Sequence, residues 1–432
     1  MAGNMTRIPV VSSDPELNQR VTQVAQRFSQ YWSPVFFDNS REALEYFEFE
    51  LPEIALINIS DETIDTDTVV NTIKGDPWLH YGAIILVYRR RDEPRLGALV
   101  PNSQIISVIP RGEFVSSYFR VMKIITENRH ILFHRDVQSY LTGEVSGHFI
   151  MDNDPFNVRT YANLVSNFLY NSNYVDRDAR ERVHIGIFEM LMNAVEHGNC
   201  GISYQEKSRW LESGGDAIEL IRSRYRSDPA IRAKRVRFAY RITPERSFFT
   251  IRDDGEGFDW RAYLKRDRAN VNLGLHGHGI TMANHYMENV HYNDSGNEVL
   301  FEMAHQQSAS NIVPEIFQDQ HETVIPDGAA VFREGEESNT LYYIVSGRLA
   351  VLSGGCELTV LTPQDMFLGE MSFLLNDRRS ATVVSKGRSV LIPISKRAFV
   401  NAIKENPHYG IFLARLLAQR IVRLNQRVIA NS

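Results

Sequence analysis

From residue 7 to about 125, short apolar runs alternate with amphipathic stretches. "RIPVVSS", "EIALINIS", "AIILVY" and "QIISVIP" are strand-length runs rich in β-branched residues. Leu17, Val21, Val24 and Phe28 recur at helical spacing between the first two. A further helix is predicted from about 114 to 126. Continuous apolar strands alternating with helices predict a doubly wound parallel sheet.

The pattern then changes. "FNVRTYANLVSNFLYNS" and "DARERVHIGIFEMLMNAVEHGN" read as helices. "VRFAYRIT" and "SFFTIRDD" read as adjacent strands joined by a turn around Pro244, and "GLHGHGITMANHYMENV" as a Gly-rich loop entering a helix. "VHYNDSGNEVLFEMA" reads as a hairpin turning at Ser295 and Gly296. Together they predict an α+β sandwich. "HQQSASNIVPE" is polar and reads as a linker. Beyond about 312, short apolar runs punctuated by Gly328, Gly335, Gly347, Gly354 and Gly355 predict a compact β-roll, closed by "AFVNAIKENP" and "YGIFLARLLAQRIVRLNQRVI" as helices. The boundaries expected are 1–127, 128–305 and 306–432, a multidomain α/β, α+β and β chain.

Length agrees: 432 residues at roughly 150 per domain suggest about three domains. The chain is 43% hydrophobic and 23% charged, with a formal net charge of -6. That mild acidity argues against a protein working mainly by coating nucleic acid or an anionic membrane. The first residues lack the order of a signal peptide, and no apolar run approaches the ~18 residues of a membrane span. Cys200 and Cys356 have no metal-like spacing and read as small buried hydrophobes. A cytoplasmic protein is expected, with neither membrane nor direct nucleic-acid contact.

Glu189, Asn193 and His197 stand four apart in "FEMLMNAVEHGN", hence in one column of a helix. Alone, such a column reads as a solvated face, and His197 beside Gly198 reads as a helix end. Two downstream segments add weight. "RDDGEGFD" places Asp253 before Gly255 and Gly257 directly after a strand. "GLHGHGI" places Gly274, Gly277 and Gly279 before a helix. Glycines permit close backbone approach to a ligand, and amides at a helix start favour phosphate.

The ordered set E-x-x-x-N-A-x-x-H-G, D-x-G-x-G, G-x-G-I resembles the GHKL-type ATPase fold. Its nearest likeness is to the anti-sigma-factor serine kinases of bacterial sporulation and stress responses. The resemblance spans about 148 to 304, with an insertion near 203 to 234. It implies that Asn193 holds Mg²⁺ against the triphosphate of ATP and that Asp253 accepts from the adenine amino group. Gly255 and Gly257 would let the chain pass the base, Gly277 and Gly279 would form the phosphate lid, and Glu189 would be the general base toward a protein serine or threonine. The chemistry is coherent, because a carbonyl oxygen suits Mg²⁺ and phosphoryl transfer depends on positioning and charge. One departure stands out. Many relatives carry Arg or Lys in the lid turn, where this chain has His276 and His278. Partners implied are an anti-sigma-factor antagonist of the STAS type and a sigma factor. A histidine autokinase would need a phospho-acceptor hairpin, and His184 lies inside the ATP-binding helix instead. "FHRDV" at 133 to 137 mimics a eukaryotic kinase loop without the rest of that signature.

"FLGEMSFLLNDRRSATVVS" joins Gly369 and Glu370 to Arg379 and Ser380. It resembles the phosphate-binding cassette of cyclic-nucleotide-binding domains over about 320 to 425. That implies Arg379 on the equatorial oxygens of a cyclic phosphate, Glu370 on the ribose 2′-OH, and Ser380 with amides near Gly369 completing an anion nest. Cyclic AMP is favoured over cyclic GMP. A fold of this kind that binds nothing is the plain alternative. Leu413, Leu417, Ile421, Leu424 and Val428 suggest a short coiled-coil seam, a nucleotide lid or core packing, and a homodimer is expected. The chain ends at Ser432, so no helix-turn-helix is expected after the barrel.

The first unit resembles a degenerate response-regulator receiver. Asn58 stands where the phospho-accepting Asp belongs, Tyr88 where Ser or Thr is usual, and Ile109 where Lys is usual. A pseudo-receiver for protein contact follows. Residues 203 to 241 carry ten Lys/Arg against five Asp/Glu. A solvated helical insertion is the default reading and a docking surface for an acidic partner the alternative.

Overall fold

The computed structural model describes residues 6–76, 79, 83–96, 105–128, 144–172, 174–243, 245–261, 286–305, 310–311 and 313–418. They fall into two compact units. The first lies within Met1–Tyr118, Asn171–Asp176 and Gln306–Ser432, the second within Phe119–Tyr170 and Arg177–His305. Where the sequence suggests three domains, the N-terminal sheet and the β-roll thus share one unit.

In the first unit, strands β1 (Thr6–Val11), β2 (Trp32–Phe37), β3 (Ile54–Asn58), β4 (Ala83–Tyr88) and β5 (Ile105–Pro110) form a parallel sheet in the order β2-β1-β3-β4-β5. This is the doubly wound order that places the polar end of the sheet at the carboxyl ends of its strands. Every residue of β3 and β4 is buried, which explains their unbroken apolar runs. The hydrophobic pattern misses β2, an edge strand containing Pro34 with only Trp32 fully buried. Helices α1 (Pro15–Ala25) and α2 (Ser40–Glu50) are N-capped by Asp14 and Asn39, and α3 (Thr66–Gly75) by Asp65. Helix α4 is Phe114–Glu127.

The β-roll consists of two four-stranded sheets. Strands β11 (Thr323–Ile325), β18 (Ser389–Ser395), β13 (Thr340–Ser346) and β16 (Phe367–Leu368) form one. Strands β12 (Ala330–Phe332), β17 (Thr382–Ser385), β14 (Leu349–Ser353) and β15 (Cys356–Leu361) form the other. Cys356 is exposed on β15, so it is no buried hydrophobe; Cys200 is buried as expected. The helix over residues 408–418 ties the roll to the parallel sheet. His408 Nε2 lies 2.8 Å from Asp76 Oδ2, and Arg415 donates to the carbonyls of Leu51 (3.2 Å) and Glu50 (2.6 Å). Leu51 is left-handed (φ 44°) at the end of α2, where orphan carbonyls need donors. Phe412, Leu413 and Leu416 belong to one continuous core with Phe47, Leu51 and Ile73. The last helical positions named above, 421, 424 and 428, lie outside the described residues, as does the 133–137 segment.

The second unit has an antiparallel sheet in the order β6-β7-β8-β10-β9: β6 (Val145–Met151), β7 (Val236–Ile242), β8 (Arg246–Asp253), β10 (Glu298–Ala304) and β9 (Glu288–Tyr292). Its strands alternate buried and accessible positions, so one face is covered. Helices α5 (Pro155–Asn171) and α6 (Arg177–Asn193) supply Val158, Val165, Val183, Ile187 and Leu191 to the core. The β9–β10 hairpin turns where expected, with Gly296 at φ +78° and the Asn293 side chain accepting from the amides of Gly296, Asn297 and Glu298. The insertion is helical: α7 (Tyr204–Glu212), α8 (Ala217–Ser227) and α9 (Pro229–Ala233), capped by Ser203, Asp216 and Asp228.

Candidate functional sites

Glu189 and Asn193 lie one turn apart near the end of α6, as the column requires. After Asn193 the helix widens into a π turn over Ala194–Asn199, closed by the Cys200 amide on the Val195 carbonyl at 2.9 Å. Such turns recur at functional sites. The column therefore stops at Asn193. His197 is exposed, and its Nδ1 meets the Ile202 carbonyl at 2.6 Å, which is a helix-end role. Gly198 is not the left-handed residue of that end; Gly201 takes positive φ (+62°) instead.

Gly198 has another reason to be glycine. A Cβ there would stand 2.4 Å from Asp253 Cγ. Gly255 and Gly257 are likewise demanded by protein backbone. A Cβ on Gly255 would meet the Gly198 carbonyl at 2.2 Å, and one on Gly257, which has φ +79°, would meet the Ser295 carbonyl at 1.9 Å. The D-x-G-x-G turn is thus pressed against the π turn on one side and the β9–β10 turn on the other. This places Asp253 beside the end of the Glu189–Asn193 helix. Burial pushes the Asp253 carboxyl up to about 6, although the Gly255 amide donates to it at 2.8 Å. Gly277, Gly279, His276 and His278 lie outside the described residues.

Burial also raises the Glu189 carboxyl; the Lys207 charge opposes this and Glu196 adds to it. Asn193 Nδ2 is buried without a hydrogen-bond partner among the described residues. Since the amide can be turned either way, an oxygen or a nitrogen can face a ligand there. An unpaired buried amide one helical turn from the Glu189 carboxyl fits a hydrated divalent cation with a polyanion better than it fits apolar packing.

Sequence reasoning missed two residues at this site. Asn199 is 1% exposed; its Nδ2 donates to Asn153 Oδ1 (2.7 Å), its Oδ1 accepts from the Asp254 amide (2.8 Å), and its carbonyl accepts from Lys234 Nζ (3.2 Å). It fastens the Asp253 turn and the insertion to the helix end. Glu196, 3% exposed, accepts from Lys207 Nζ at 2.8 Å. The π turn directs Glu196 inward, and straight-helix periodicity cannot foresee that.

In the β-roll, Gly369 (φ +80°) precedes the short helix α10, Glu370–Leu375. Arg379, 3% exposed, lies under that turn. It donates to the Gly369 carbonyl (2.9 Å), Ser372 Oγ (2.7 Å), Ser338 Oγ (2.6 Å) and the Thr340 carbonyl (2.6 Å), with its guanidinium 4.1 Å over the Phe332 ring. A Cβ on Gly369 would stand 2.2 Å from Arg379 Nη1. Arg379 Nε is buried with no hydrogen-bond partner among the described residues. Glu370 is partly exposed and acts on Arg379 through its charge, whereas Ser380 is exposed. The guanidinium is held in place by the chain itself, with one donor still unmet, an arrangement that fits an anion. Ser372 and Ser338 were not foreseen.

At the polar end of the parallel sheet, Asn58 is 2% exposed, and its Nδ2 lies 3.4 Å from Ser12 Oγ and 3.5 Å from Asp61 Oδ2. Asp61 accepts from the Ser13 amide and hydroxyl, both at 2.7 Å. Arg111 pairs with Asp14 and, at 3.0 Å, with Glu16.

Comparison with known proteins defines two parts of the chain. Residues 151–303 match the model of the histidine kinase-like ATPase domain, and residues 322–406 that of the cyclic nucleotide-binding domain. The chain therefore carries a nucleotide-binding domain of each kind. Over 110 residues, 24% of its length, it is 36% identical to the CRP-like cAMP-activated global transcriptional regulator of Mycobacterium tuberculosis, covering 48% of that protein. It is 33% identical over 101 residues, 22% of its length, to the cyclic AMP receptor protein of Thermus thermophilus, covering 46% of it. The crystal structure of the Thermus thermophilus catabolite activator protein aligns over 28% of this chain and 60% of its own, with 26% identity and a TM-score of 0.25. The chain spans about half the length of these curated relatives. Among the described residues no helix is long and apolar enough to cross a membrane.

Proposed function

We propose that this protein is a cyclic-nucleotide-regulated, ATP-dependent serine/threonine protein kinase of the anti-sigma-factor type. Its substrate is a STAS-type anti-sigma-factor antagonist, and a sigma factor is a second partner. The observation that carries the reading is the Glu189–Asn193 pair on one helical turn, set against the buried Asp253 turn within the histidine kinase-like ATPase domain. Asp253 accepts from the adenine amino group. Asn193 contributes an oxygen to Mg²⁺, which when bound supplies charge neutralisation to the triphosphate. Glu189 takes the proton of the attacking serine or threonine hydroxyl, and its raised proton affinity suits that task.

Arg379, Glu370 and the Gly369 turn bind the second nucleotide. Cyclic AMP is the choice, because the similar regulators are named for it. The parallel sheet, with Asn58 in place of a phospho-accepting carboxylate, serves as a receiver-like protein-contact domain, and the protein acts as a cytoplasmic homodimer. The test is transfer of the ATP γ-phosphate to a candidate antagonist with and without cyclic AMP. Transfer that responds to cyclic AMP supports the kinase. ATP binding without transfer under any condition leaves a non-catalytic, nucleotide-gated sequestering protein, a reading that His276 and His278 favour over a cationic lid.

A further inference from the structure

The basic insertion is more than a solvated excursion, because one of its cations reaches back to the π turn that follows Asn193. Helix α7 begins five residues after the π turn ends and runs back beside it. The turn between them is closed by the Ile202 amide on the Glu196 carbonyl at 3.0 Å. Ser203 Oγ caps α7, and Arg224 of α8 pairs with Glu206 and reaches the Cys200 carbonyl at 3.5 Å. So braced, α7 aims Lys207 at Glu196, three residues beyond Asn193. Other cations of the 203–241 segment are engaged elsewhere: Arg222 with Asp154 and Lys234 with the Asn199 carbonyl in the insertion, and Arg237 with Asp254 and Arg241 with Glu144 on β7.

The Lys207–Glu196 pair is largely enclosed, with the side chains 26% and 4% exposed. Enclosed ion pairs of this kind contribute little net stability, since desolvation offsets attraction. An ammonium has three donors, and Glu196 Oε2 uses one. Lys207 is also close enough to Glu189 to lower the proton affinity of that carboxyl. It therefore stands by Glu196 and Glu189, at the helix end that carries Asn193. The sequence has no Arg or Lys at the lid turn, which holds His276 and His278.

We propose that Lys207, anchored by Glu196, is the cation this site presents to the terminal phosphate of a bound nucleoside triphosphate. The insertion thereby takes over the place of the missing cationic lid residue and distinguishes a triphosphate from a diphosphate. The inference rests on the ATP reading of the Glu189–Asn193 helix end and the Asp253 turn. Glu196 fixes the direction of the ammonium, and the phosphate oxygens accept its two remaining hydrogens.

The test is calorimetric titration of the full chain with Mg²⁺ and, separately, ATP and ADP. Lys207→Met is expected to weaken ATP binding about tenfold or more and leave ADP within about twofold, the scale of one charge-assisted hydrogen bond. Lys207→Arg should keep most of the preference for ATP. Should Lys207→Met fail to fold because it strands buried Glu196, the Lys207→Met/Glu196→Gln double variant removes both charges and should show the same ATP-specific loss. A pair that merely holds the structure together would weaken ATP and ADP alike, or neither, and either result overturns the proposal while wild-type ATP binding stands. Failure of the wild-type chain to bind ATP or ADP overturns the proposal together with the reading beneath it.

Discussion

At the residue scale, three side chains carry separable chemistry. Glu189→Gln keeps size and removes the proton acceptor, so phosphoryl transfer should fall by about 10²-fold or more with ATP affinity within about twofold. Radiolabel transfer and equilibrium binding check the two halves of that statement. Asp253 makes a pH prediction. Its folded proton affinity is raised to about 6 from 3.8, so the group favours the fold fully below the unfolded value and loses that contribution as pH rises through about 6. Ionised and buried at neutral pH, it opposes stability, and in the proposed site it is the group that would accept from adenine. Asp253→Asn should therefore raise the stability of the nucleotide-free protein at pH 7.5 by about 1–3 kcal/mol and weaken ATP binding. Wild-type ATP affinity should decline as pH drops below about 6, and in Asp253→Asn it should not. Arg379 is different, since its Nη1 and Nη2 donors are committed to Gly369, Ser372, Ser338 and Thr340. Arg379→Lys cannot reproduce that planar set. It should reduce cyclic AMP affinity by about tenfold or more in calorimetry.

At the element scale, the π turn Ala194–Asn199 decides which residues after Asn193 turn inward. Periodicity reads the Glu189–Asn193 column correctly, because α6 is regular there. It extends the column to His197, where i→i+5 bonding replaces i→i+4 and rotates the later side chains. Asn199 and Glu196 become legible only once that turn and the insertion are in place. Gly198→Ala tests the packing. Its Cβ would collide with Asp253, a short side chain locked by the Gly255 amide, so ATP binding should be lost and stability reduced by about 2 kcal/mol or more. Thermal denaturation and nucleotide titration report on both. Edge strands were the other loss. Strand β2 buries little and contains proline, and β6 alternates with only two buried positions, so neither shows a strong apolar run.

At the scale of the molecule, the parallel sheet and β-roll form one unit although 212 residues, 111–322, lie between the last strand of one and the first strand of the other. The buried His408–Asp76 pair and the Arg415 cap on Glu50 and Leu51 join them, above a continuous core. Asp76→Ala leaves His408 buried without that acceptor, so it should cost about 1–3 kcal/mol. Both parts should then lose protection together in hydrogen exchange. Independent loss of the sheet and the roll would show that the shared core is not cooperative.

The sequence by itself determined the parallel strands β1, β3, β4 and β5, the antiparallel hairpins, the glycine-punctuated roll, and the positions of Glu189, Asn193, Asp253, Glu370 and Arg379. Those signals are local, since periodicity, turn residues and motif spacing act over a few neighbouring residues. Only the tertiary structure decided that Gly198 answers to the Asp253 side chain, Gly255 to the Gly198 carbonyl and Gly257 to the Ser295 carbonyl, that Ser372 and Ser338 hold Arg379, that the chain's two outer parts share a core, and that Lys207 of the insertion meets Glu196. Each of those depends on contact between segments that are separate in the chain, and no short stretch of sequence encodes the distance between them.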